Sequence, residues 1–229
     1  MALTLGIDTA TVVSVGVSDG SKILAALQVQ DTRSHVERLI PLVEKALEQA
    51  GVGYADLEAV AVGVGPGPFT GLRVGVAAAE VIAQALGLPL KGICGLDVIA
   101  RQALRVDSPL IAAAAVSGQE PAFVALCDAR RKELYWAAYS AAGQRVDGPF
   151  VTGAEDIPPL PSYGQGADLY PLPGQIIGSA PGVDAGLLAL LADDLPDAGL
   201  EPLYLRRPDA EVPAARKSVL PRLVIRRPA

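Results

Sequence analysis

The sequence is poor in the residues that build metal-bound or nucleophilic centres. Among its 229 residues it has one histidine, His35, and two cysteines, Cys94 and Cys127. These three candidate ligands lie far apart along the chain, which disfavours a zinc site. A single histidine without a neighbouring nucleophile signal also argues against a Ser-His-Asp or Cys-His catalytic set. We therefore expect no catalytic residue, no metal ligand and no bound cofactor.

The sequence also lacks signals for export or membrane insertion. Two cysteines form no disulfide framework, so a reducing compartment is the simplest location. Residues 1–4 contain no basic stretch ahead of an apolar run, which excludes a signal peptide there. No apolar run approaches the about 20 residues that cross a bilayer. We predict a cytoplasmic protein with no membrane partner.

Aromatic residues make up only 4% of the chain, whereas hydrophobic residues make up 51%. The core must therefore be built from closely packed Val, Leu, Ile and Ala side chains. Such a composition excludes a disordered chain, and the length suits one large domain or two of about 100 residues each.

The charge is distributed unevenly along the chain. The formal net charge is −6, which argues against nucleic-acid binding over the whole surface. Residues 206–229 hold seven basic and two acidic side chains, a net of +5, which leaves −11 on the other residues. This tail is interpreted either as a solvated C-terminus or as a segment with an anionic partner.

The first part of the chain, residues 1–106, predicts a lobe of order β-β-β-α-β-α-β-α. Short apolar runs separated by Asp19-Gly20 indicate three antiparallel strands. A periodic apolar stripe predicts a helix that begins near Ser34, ends at Gly51 and is kinked or tightened at Pro41. The remaining predicted elements are strand 57–64, helix 71–86 capped by Thr70, strand 90–93 and helix 96–104.

Residues 107–206 predict a second, smaller α/β lobe. Strands are expected at 110–116 and 122–127, with a hairpin through 134–139. Asp8 and Asp128 each follow a strand and precede a hairpin, which we interpret as a loose internal repeat. Residues 149–182 are rich in proline and glycine and should be mostly loop. Residues 207–229 are predicted to be a basic, poorly ordered tail.

Asp8, Thr9 and Thr11 lie at the carboxyl end of the first strand, where α/β sheets bind ligands. Two lobes that each present a strand-end aspartate would form the ATP cleft of a two-lobed α/β fold of the actin/hexokinase (ribonuclease H-like) type, with a mixed sheet in each lobe. The competing interpretation is that Asp8 only hydrogen-bonds the turn after its strand.

The segment Gly65–Arg73 joins a strand to a helix whose face is unusually apolar. Its backbone amides lie at the start of a helix, where an anion could bind. It is neither a Walker loop nor a dinucleotide fingerprint, and for its glycines we favour the alternative of a rigid turn that lets the helix approach the strand. Residues 72–86 have only Arg73, Glu80 and Gln84 as strongly polar side chains. Because a helix on a sheet needs only one apolar stripe, we expect this helix to be covered on more than one side, either by the chain's own helices, of which the first is the obvious neighbour, or by a second chain.

Several of these segments together resemble the TsaB family of tRNA threonylcarbamoyladenosine biosynthesis proteins. The resemblance runs from about residue 2 to 206, and Gly65–Arg73 is its most specific part, although Pro68 stands where the family usually has serine. The other matching segments are residues 5–11, the helix 33–50, residues 128–139 and Pro202–Arg206.

This resemblance implies a non-catalytic subunit that pairs with the catalytic subunit TsaD and is joined by the ATPase TsaE. It implies that tRNA is contacted only indirectly, that the isolated chain could form a homodimer, and that Asp8, Thr9 and Thr11 are vestiges of a phosphate site. The two metal-binding histidines of TsaD would fall at Gly95 and Ile99, which cannot ligate a metal. The expected interface lies on the two N-terminal helices, at His35, Leu39, Leu42, Arg73, Val76, Ala79, Glu80 and Ala83.

Two enzymatic alternatives remain open at this point. An ATP-dependent small-molecule kinase of the same fold class would need a second phosphate loop and an adenosine pocket, for which the second lobe is small and rich in loops. A metallopeptidase would need metal ligands that a chain with one histidine supplies poorly.

Overall fold

The structure is a computed structural model that describes residues 2–29 and 35–206. Two short 3₁₀ helices, Tyr54–Asp56 and Ala154–Asp156, accompany the regular elements. The first half contains β1 (Thr4–Asp8), β2 (Val13–Ser18), β3 (Ile23–Val29), α1 (His35–Ala50), β4 (Ala59–Gly63), α2 (Phe69–Leu86), β5 (Leu90–Ile93) and α3 (Gly95–Ala103). The second half contains α4 (Pro109–Ser117), β6 (Phe123–Asp128), β7 (Glu133–Tyr139), β8 (Arg145–Gly153), β9 (Ser162–Gly164), β10 (Ile176–Gly178) and α5 (Ala185–Leu190).

Each half is built on a mixed five-stranded sheet, and the two sheets have the same topology. The strand orders are β3-β2-β1-β4-β5 and β8-β7-β6-β9-β10, with an antiparallel meander followed by parallel strands in both. The strand that ends in Asp8 and the strand that ends in Asp128 occupy equivalent central positions. The internal repeat and the two-lobed actin/hexokinase-like fold class are therefore confirmed.

The first sheet is covered on both faces because its strands alternate large and small residues. Leu5, Ile7 and the valines of β2 pack into the core cluster beneath α1 and α2. The intervening Gly6 and Gly16 face α5, whose backbone approaches so closely that a Cβ at either glycine would clash with it. Asp184 caps α5 by accepting hydrogen bonds from two of its amides.

Helices α3 and α5 cross between the halves. Helix α3 follows β5 of the first sheet but packs against β6 and β9, whereas α5 follows β10 but packs against β1 and β2. The two halves are thus joined by a reciprocal exchange that buries α3 almost completely. The division of the chain at residues 106 and 107 stays a prediction, and the tail 207–229 lies outside the described residues.

One segment of the second half differs from the sequence-based expectation. Residues 110–116, predicted as a strand, lie in helix α4, where Pro109 occupies the first turn, four alanines favour a helix and Gly118 ends it with a φ of 68°. The proline-rich stretch 149–182 is mostly loop, as predicted, and its regular elements are the end of β8, one 3₁₀ helix and the short strands β9 and β10. Helix α5 was not predicted.

In the first half the predicted order of elements is correct and the boundaries shift slightly. Helix α2 begins at Phe69 with Pro68 as its N-cap, so Thr70 does not cap it, and Gly87 ends it in a left-handed conformation. Pro41 lies inside α1, while the predicted cap Ser34 lies outside the described residues. By length and composition alone, α2 could span a membrane, but its apolar stripe packs against the sheet.

Candidate functional site

Asp8, the first of the predicted phosphate-site residues, is fully buried at the end of β1. Its Oδ1 accepts a hydrogen bond of 3.0 Å from the Ala10 amide. Its Oδ2 has no hydrogen-bond partner among the described residues and faces Gly63, where a Cβ would clash with it. Burial raises the pKa of this carboxyl from 3.8 to about 7, while the Ala10 amide opposes the shift. The carboxyl therefore points into packed protein.

Thr9 and Thr11 are also directed at the protein itself. The Thr9 hydroxyl donates a hydrogen bond of 2.7 Å to the Gly71 carbonyl, and a Cβ at Gly71 or Gly75 would clash with Thr9. The Thr11 Oγ1 is buried without a partner among the described residues and lies where a Cβ of Gly182 would clash. The three residues come together as predicted, but their polar atoms serve the packing of α2 and of the segment before α5. That they are a vestigial phosphate site stays a prediction.

The loop that begins at Gly65 is the junction of the two halves. The Gly95 amide at the start of α3 donates a 2.7 Å hydrogen bond to the Gly65 carbonyl. The Cys127 thiol approaches the Pro66 carbonyl at 3.9 Å from the end of β6. Burial raises the pKa of Cys127 well above its ordinary value, so this thiol stays uncharged. The glycine-proline segment is thus a rigid turn with close contacts on both sides.

The turn between β6 and β7 presents three consecutive cations. Arg130, Arg131 and Lys132 are exposed and have φ angles of 60°, 57° and 66°. A left-handed backbone costs about 1–2 kcal/mol for each residue that carries a side chain. Asp128 Oδ1 stabilises the turn by accepting a 2.8 Å hydrogen bond from the Arg130 amide. We refer to Arg130, Arg131 and Lys132 as the basic tip.

Most of the predicted interface residues lie inside the chain's own core. They pack in the cluster between the first sheet and its two outer helices, with at most 9% of each residue exposed: Leu39, Leu42, Val76, Ala79 and Ala83. This placement corrects the expectation that these side chains contact a partner, since α1, α2 and the sheet already cover them. Of the other predicted residues, Arg73 and Glu80 are exposed, and the side chain of His35 lies outside the described part of the chain.

Other residues of α1 and α2 are apolar and exposed. Val81 has 66% of its surface exposed, Ile40 has 42% and Phe69 has 37%, and Ala77 is also exposed. We call these four the exposed helix residues. These residues could be recognised in the sequence as apolar positions that lie between the buried positions of each helix. The apolar pattern alone, however, does not tell whether a residue packs in the core or contacts another chain.

Residues 198–206, the C-terminal strap, cover one flank of α2 and were not predicted as part of the site. The Leu203 amide donates a 2.8 Å hydrogen bond to the Val64 carbonyl. The Tyr204 ring stacks on Phe69 with centroids 4.2 Å apart, and Arg73 Nε donates a 2.9 Å hydrogen bond to the Tyr204 hydroxyl. The Arg73 guanidinium also lies 4.0 Å from the Phe69 ring centroid.

The strap ends at the basic tip. The Arg206 guanidinium donates a 3.1 Å hydrogen bond to the Ala129 carbonyl and forms an ion pair with Glu133. The strap therefore runs from the first sheet to the hairpin of the second and holds the halves together.

The positions that would carry metal-binding histidines lie on α3. Gly95 begins the helix, and Ile99 is almost fully buried in the core between the halves. Within residues 2–29 and 35–206, no group of three or more His, Cys, Asp or Glu side chains is arranged to hold a metal ion.

A buried polar cluster at α3 was not predicted from the sequence. Asp97 on α3 accepts a 2.8 Å hydrogen bond from the Tyr139 hydroxyl, and its Oδ1 lies 3.4 Å from Arg145 Nε. Burial raises the pKa of Asp97 despite the opposing effect of Arg145. These residues are far apart in sequence, and no local pattern links them.

Comparison with known proteins assigns the chain to a family. Residues 25–152, more than half of the chain, match the family model "TsaD: tRNA N6-adenosine threonylcarbamoyltransferase". An uncharacterized protein of Mycobacterium tuberculosis is 41% identical over 219 residues, which cover 92% of this chain and 95% of that protein. The Escherichia coli tRNA threonylcarbamoyladenosine biosynthesis protein TsaB is 35% identical over 136 residues, which cover 59% of this chain and 54% of TsaB.

Solved structures give the same assignment. YeaZ from Pseudomonas aeruginosa superimposes with a TM-score of 0.68 at 26% identity, covering 90% of this chain and all of that one. A P. aeruginosa protein described as similar to the peptidase YeaZ gives a TM-score of 0.70 with the same identity and coverage. From the matched family model the chain belongs to the TsaD family, and its similarity to E. coli TsaB and to the YeaZ structures makes it a TsaB-like member of that family.

Proposed function

We propose that this chain is a non-catalytic subunit required to form N6-threonylcarbamoyladenosine next to the anticodon of tRNAs. The TsaB proteins of E. coli and Haemophilus influenzae, 35% and 33% identical over their matched parts, are named for this biosynthesis. The proposal places the chain in the cytoplasm, in a pair with a TsaD-like catalytic subunit that a TsaE-like ATPase joins.

The observation that carries the non-catalytic role is the orientation of Asp8, Thr9 and Thr11. At the strand end where α/β folds bind their ligands, the carboxyl and hydroxyl groups of this chain face Gly63, α2 and Gly182. A group that coordinates a reacting phosphate must instead project into solvent or a cleft. In this chain the Asp8 carboxyl and the two threonine hydroxyls instead face other parts of the same protein.

The exposed helix residues support pairing with another chain. Val81, Phe69 and Ile40 present apolar surface to solvent, and Arg73 and Glu80 add charged groups beside it. Apolar surface with polar groups at its edge is typical of protein interfaces. We propose that these residues contact the TsaD-like subunit, and that they contact a second copy of this chain when it is alone.

Reconstitution of the modification tests the proposal. The TsaD-like subunit, the TsaE-like ATPase, tRNA and the threonylcarbamoyl donor are mixed with and without this chain, and modified adenosine is quantified by mass spectrometry of digested tRNA. We expect modification only when the chain is present. Equal modification in its absence would refute the proposal.

The isolated chain provides a second test, against the alternative of an ATP-dependent small-molecule kinase, which the comparisons do not favour. ATP turnover by the purified chain is measured without any partner. We expect turnover at the background level of a heat-denatured sample, whereas appreciable hydrolysis would favour the kinase.

A further inference from the structure

We propose that a cavity where the two halves meet binds a small aliphatic α-amino acid, with Arg101 holding its carboxylate and Asp97 its ammonium group. The cavity has a volume of about 360 Å³ and lies between α3, the turn that joins β7 to β8, and residues 194–196. This volume is at the lower end of those that hold small-molecule ligands. Such a site goes beyond the proposed function, which assigns no ligand to this cavity.

Two charged residues that line the cavity have polar atoms without partners. Asp97 has only 3% of its surface exposed, and its Oδ2 has no hydrogen-bond partner among the described residues. Arg101 Nε is likewise buried without an acceptor, and the Arg101 guanidinium forms no ion pair within residues 2–29 and 35–206. Since buried donors and acceptors are normally paired, a ligand that offers one acceptor and one donor would satisfy both residues.

Asp97 and Arg101 are close enough for one small ligand to reach both. They lie four residues apart on α3, which places their Cβ atoms about 5–6 Å from each other on one face of the helix. Arg101 opposes the rise in the pKa of Asp97 that burial causes, so the two charges interact without forming an ion pair. An α-amino acid carries its carboxylate and ammonium groups on one carbon atom, which suits this spacing.

The charges around the cavity favour a zwitterion over a simple ion. Two guanidinium groups, of Arg101 and Arg145, and two carboxylates, of Asp97 and Asp194, line it and give a formal net charge of zero. A phosphate would face two carboxylates, and a metal cation would face two guanidinium groups, so either ion meets repulsion. A neutral ligand with separated charges is attracted at both of its ends.

The rest of the cavity wall suits an aliphatic side chain. Leu195 and Pro196 supply apolar surface there. Gly143 lies so close to the Arg101 stem that a Cβ on this glycine would be 3.4 Å from Arg101 Cδ. This packing restricts the arginine, so less conformational entropy is lost when a ligand binds.

Binding of L-valine to the full chain, followed by two-dimensional NMR of the backbone amides, tests the site. Isovalerate lacks the ammonium group of valine, isobutylamine lacks its carboxylate, and inorganic phosphate probes for a simple anion site. We expect valine to shift the amides of Gly143 and Arg145, which belong to the cavity wall. We also expect it to bind at least about tenfold more tightly than each of the other three compounds, because each of them lacks one charge-assisted contact.

Two arginine variants locate the binding. Arg101→Gln removes the cation that holds the carboxylate and should weaken valine binding about tenfold or more. Arg105→Gln removes an exposed arginine that does not line this cavity, and this matched control should bind valine as the natural chain does. Circular dichroism and urea unfolding check that both variants fold. Asp194→Asn, at an exposed carboxylate of the cavity wall, gives a second variant that should fold and bind valine about two- to fivefold more weakly.

Several outcomes would overturn the inference. Unshifted amides at Gly143 and Arg145 with valine up to about 10 mM would mean that the cavity holds only water. Equal affinity for isovalerate or phosphate would indicate an anion site, and equal affinity for isobutylamine a cation site. Equal valine affinity of Arg101→Gln and Arg105→Gln would place the binding elsewhere.

These measurements are separable from the test of the proposed function. They use the isolated chain without RNA or a partner subunit. If valine does not bind but tRNA modification depends on the chain, only the amino-acid site is wrong. If valine binds as expected but modification proceeds equally without the chain, only the proposed function is wrong.

Discussion

The Tyr139 hydroxyl donates a 2.8 Å hydrogen bond to Oδ1 of Asp97, and both residues are buried where α3 of the first half meets the second sheet. The other carboxylate oxygen of Asp97 has no hydrogen-bond partner among the described residues. The carboxyl therefore depends on Tyr139 and on Arg145, 3.4 Å away, for its polar contacts. The Tyr139–Asp97 contact thus joins the two halves at a carboxyl whose ionised form is disfavoured by burial.

Replacing Tyr139 by phenylalanine should destabilise the protein without changing its fold. The substitution leaves a buried carboxyl with one partner fewer, so we expect a loss of about 1–3 kcal/mol in the free energy of unfolding. Urea denaturation followed by circular dichroism measures it. Tyr170→Phe, at a half-buried tyrosine, is the control and should change stability by less than about 0.5 kcal/mol. Equal stabilities of the two variants would contradict the role of the Tyr139–Asp97 contact.

Asp8 should make stability depend on pH between about 4 and 7. Its pKa is about 7 in the folded protein and near 3.8 when unfolded, so the folded state binds the proton more tightly. The stabilising contribution of this group is complete below pH 3.8 and is lost as pH rises through 7. Asp8→Asn, which does not titrate, should lack this component.

The difference in unfolding free energy between Asp8→Asn and the natural chain isolates that component from other titrating groups. We expect the difference to shift in favour of the variant by on the order of 2–4 kcal/mol between pH 4 and pH 7.5. Urea unfolding curves at several pH values measure it. Parallel pH profiles would show that Asp8 titrates alike in both states.

The order of elements in the first half could be predicted from the sequence because its strands are short apolar runs separated by turn signals. Leu5 and Ile7 alternate with Gly6 and Asp8, which marks a strand with one large-residue face and one small-residue face. The position of α5 could not be predicted, since its six residues are too few for a helical period. The apolar run of α4 is compatible with a strand or a helix, and its alanines and flanking Pro109 and Gly118 decide for the helix.

The candidate site could be predicted only in part, because an apolar helix face does not reveal what covers it. The apolar stripe of a helix identifies residues that leave water, but it does not say whether the sheet or another chain covers them. Leu39 and Ala79 lie on the stripe and are covered by the chain itself, whereas Val81 lies off it and is exposed. The strap and the Tyr139–Asp97 contact depend on residues distant in sequence, which local patterns do not connect.

Charged substitutions on α2 should separate folding from partner binding. Val81→Asp places a carboxylate on a residue that is 66% exposed, so the chain should fold with a stability change within about 0.5 kcal/mol but lose co-purification with the TsaD-like subunit. Ala79→Asp buries an unpaired charge at a residue that is 0% exposed and should destabilise the fold by about 3–5 kcal/mol.

Val116→Asp provides the control for Val81→Asp, because Val116 is 91% exposed on α4, away from the proposed interface. This control should fold and retain the partner. Retention of the partner by Val81→Asp at the level of the Val116→Asp control would place the interface elsewhere on the molecule.

Gly75 is required by the close approach of α2 to Thr9, where an added Cβ would clash with the buried hydroxyl. Alanine raises helix propensity by about 0.5–1 kcal/mol over glycine, whereas overpacking costs about 1–3 kcal/mol. Because Thr9 Oγ1 is held by the Gly71 carbonyl at 2.7 Å, it cannot move away without losing a hydrogen bond. We therefore expect Gly75→Ala to destabilise the protein by about 1–2 kcal/mol in urea unfolding.

A double-mutant cycle with Thr9→Ala tests this cause directly. Removing the hydroxyl takes away the atom that the new Cβ would meet, so Gly75→Ala should be less destabilising by about 1 kcal/mol in the Thr9→Ala background. Additive unfolding free energies would show that the glycine serves some purpose other than contact with Thr9. A positive coupling would establish that Gly75 and Thr9 are matched in size, so that the residue predicted to bind phosphate instead sets the distance between α2 and the end of β1.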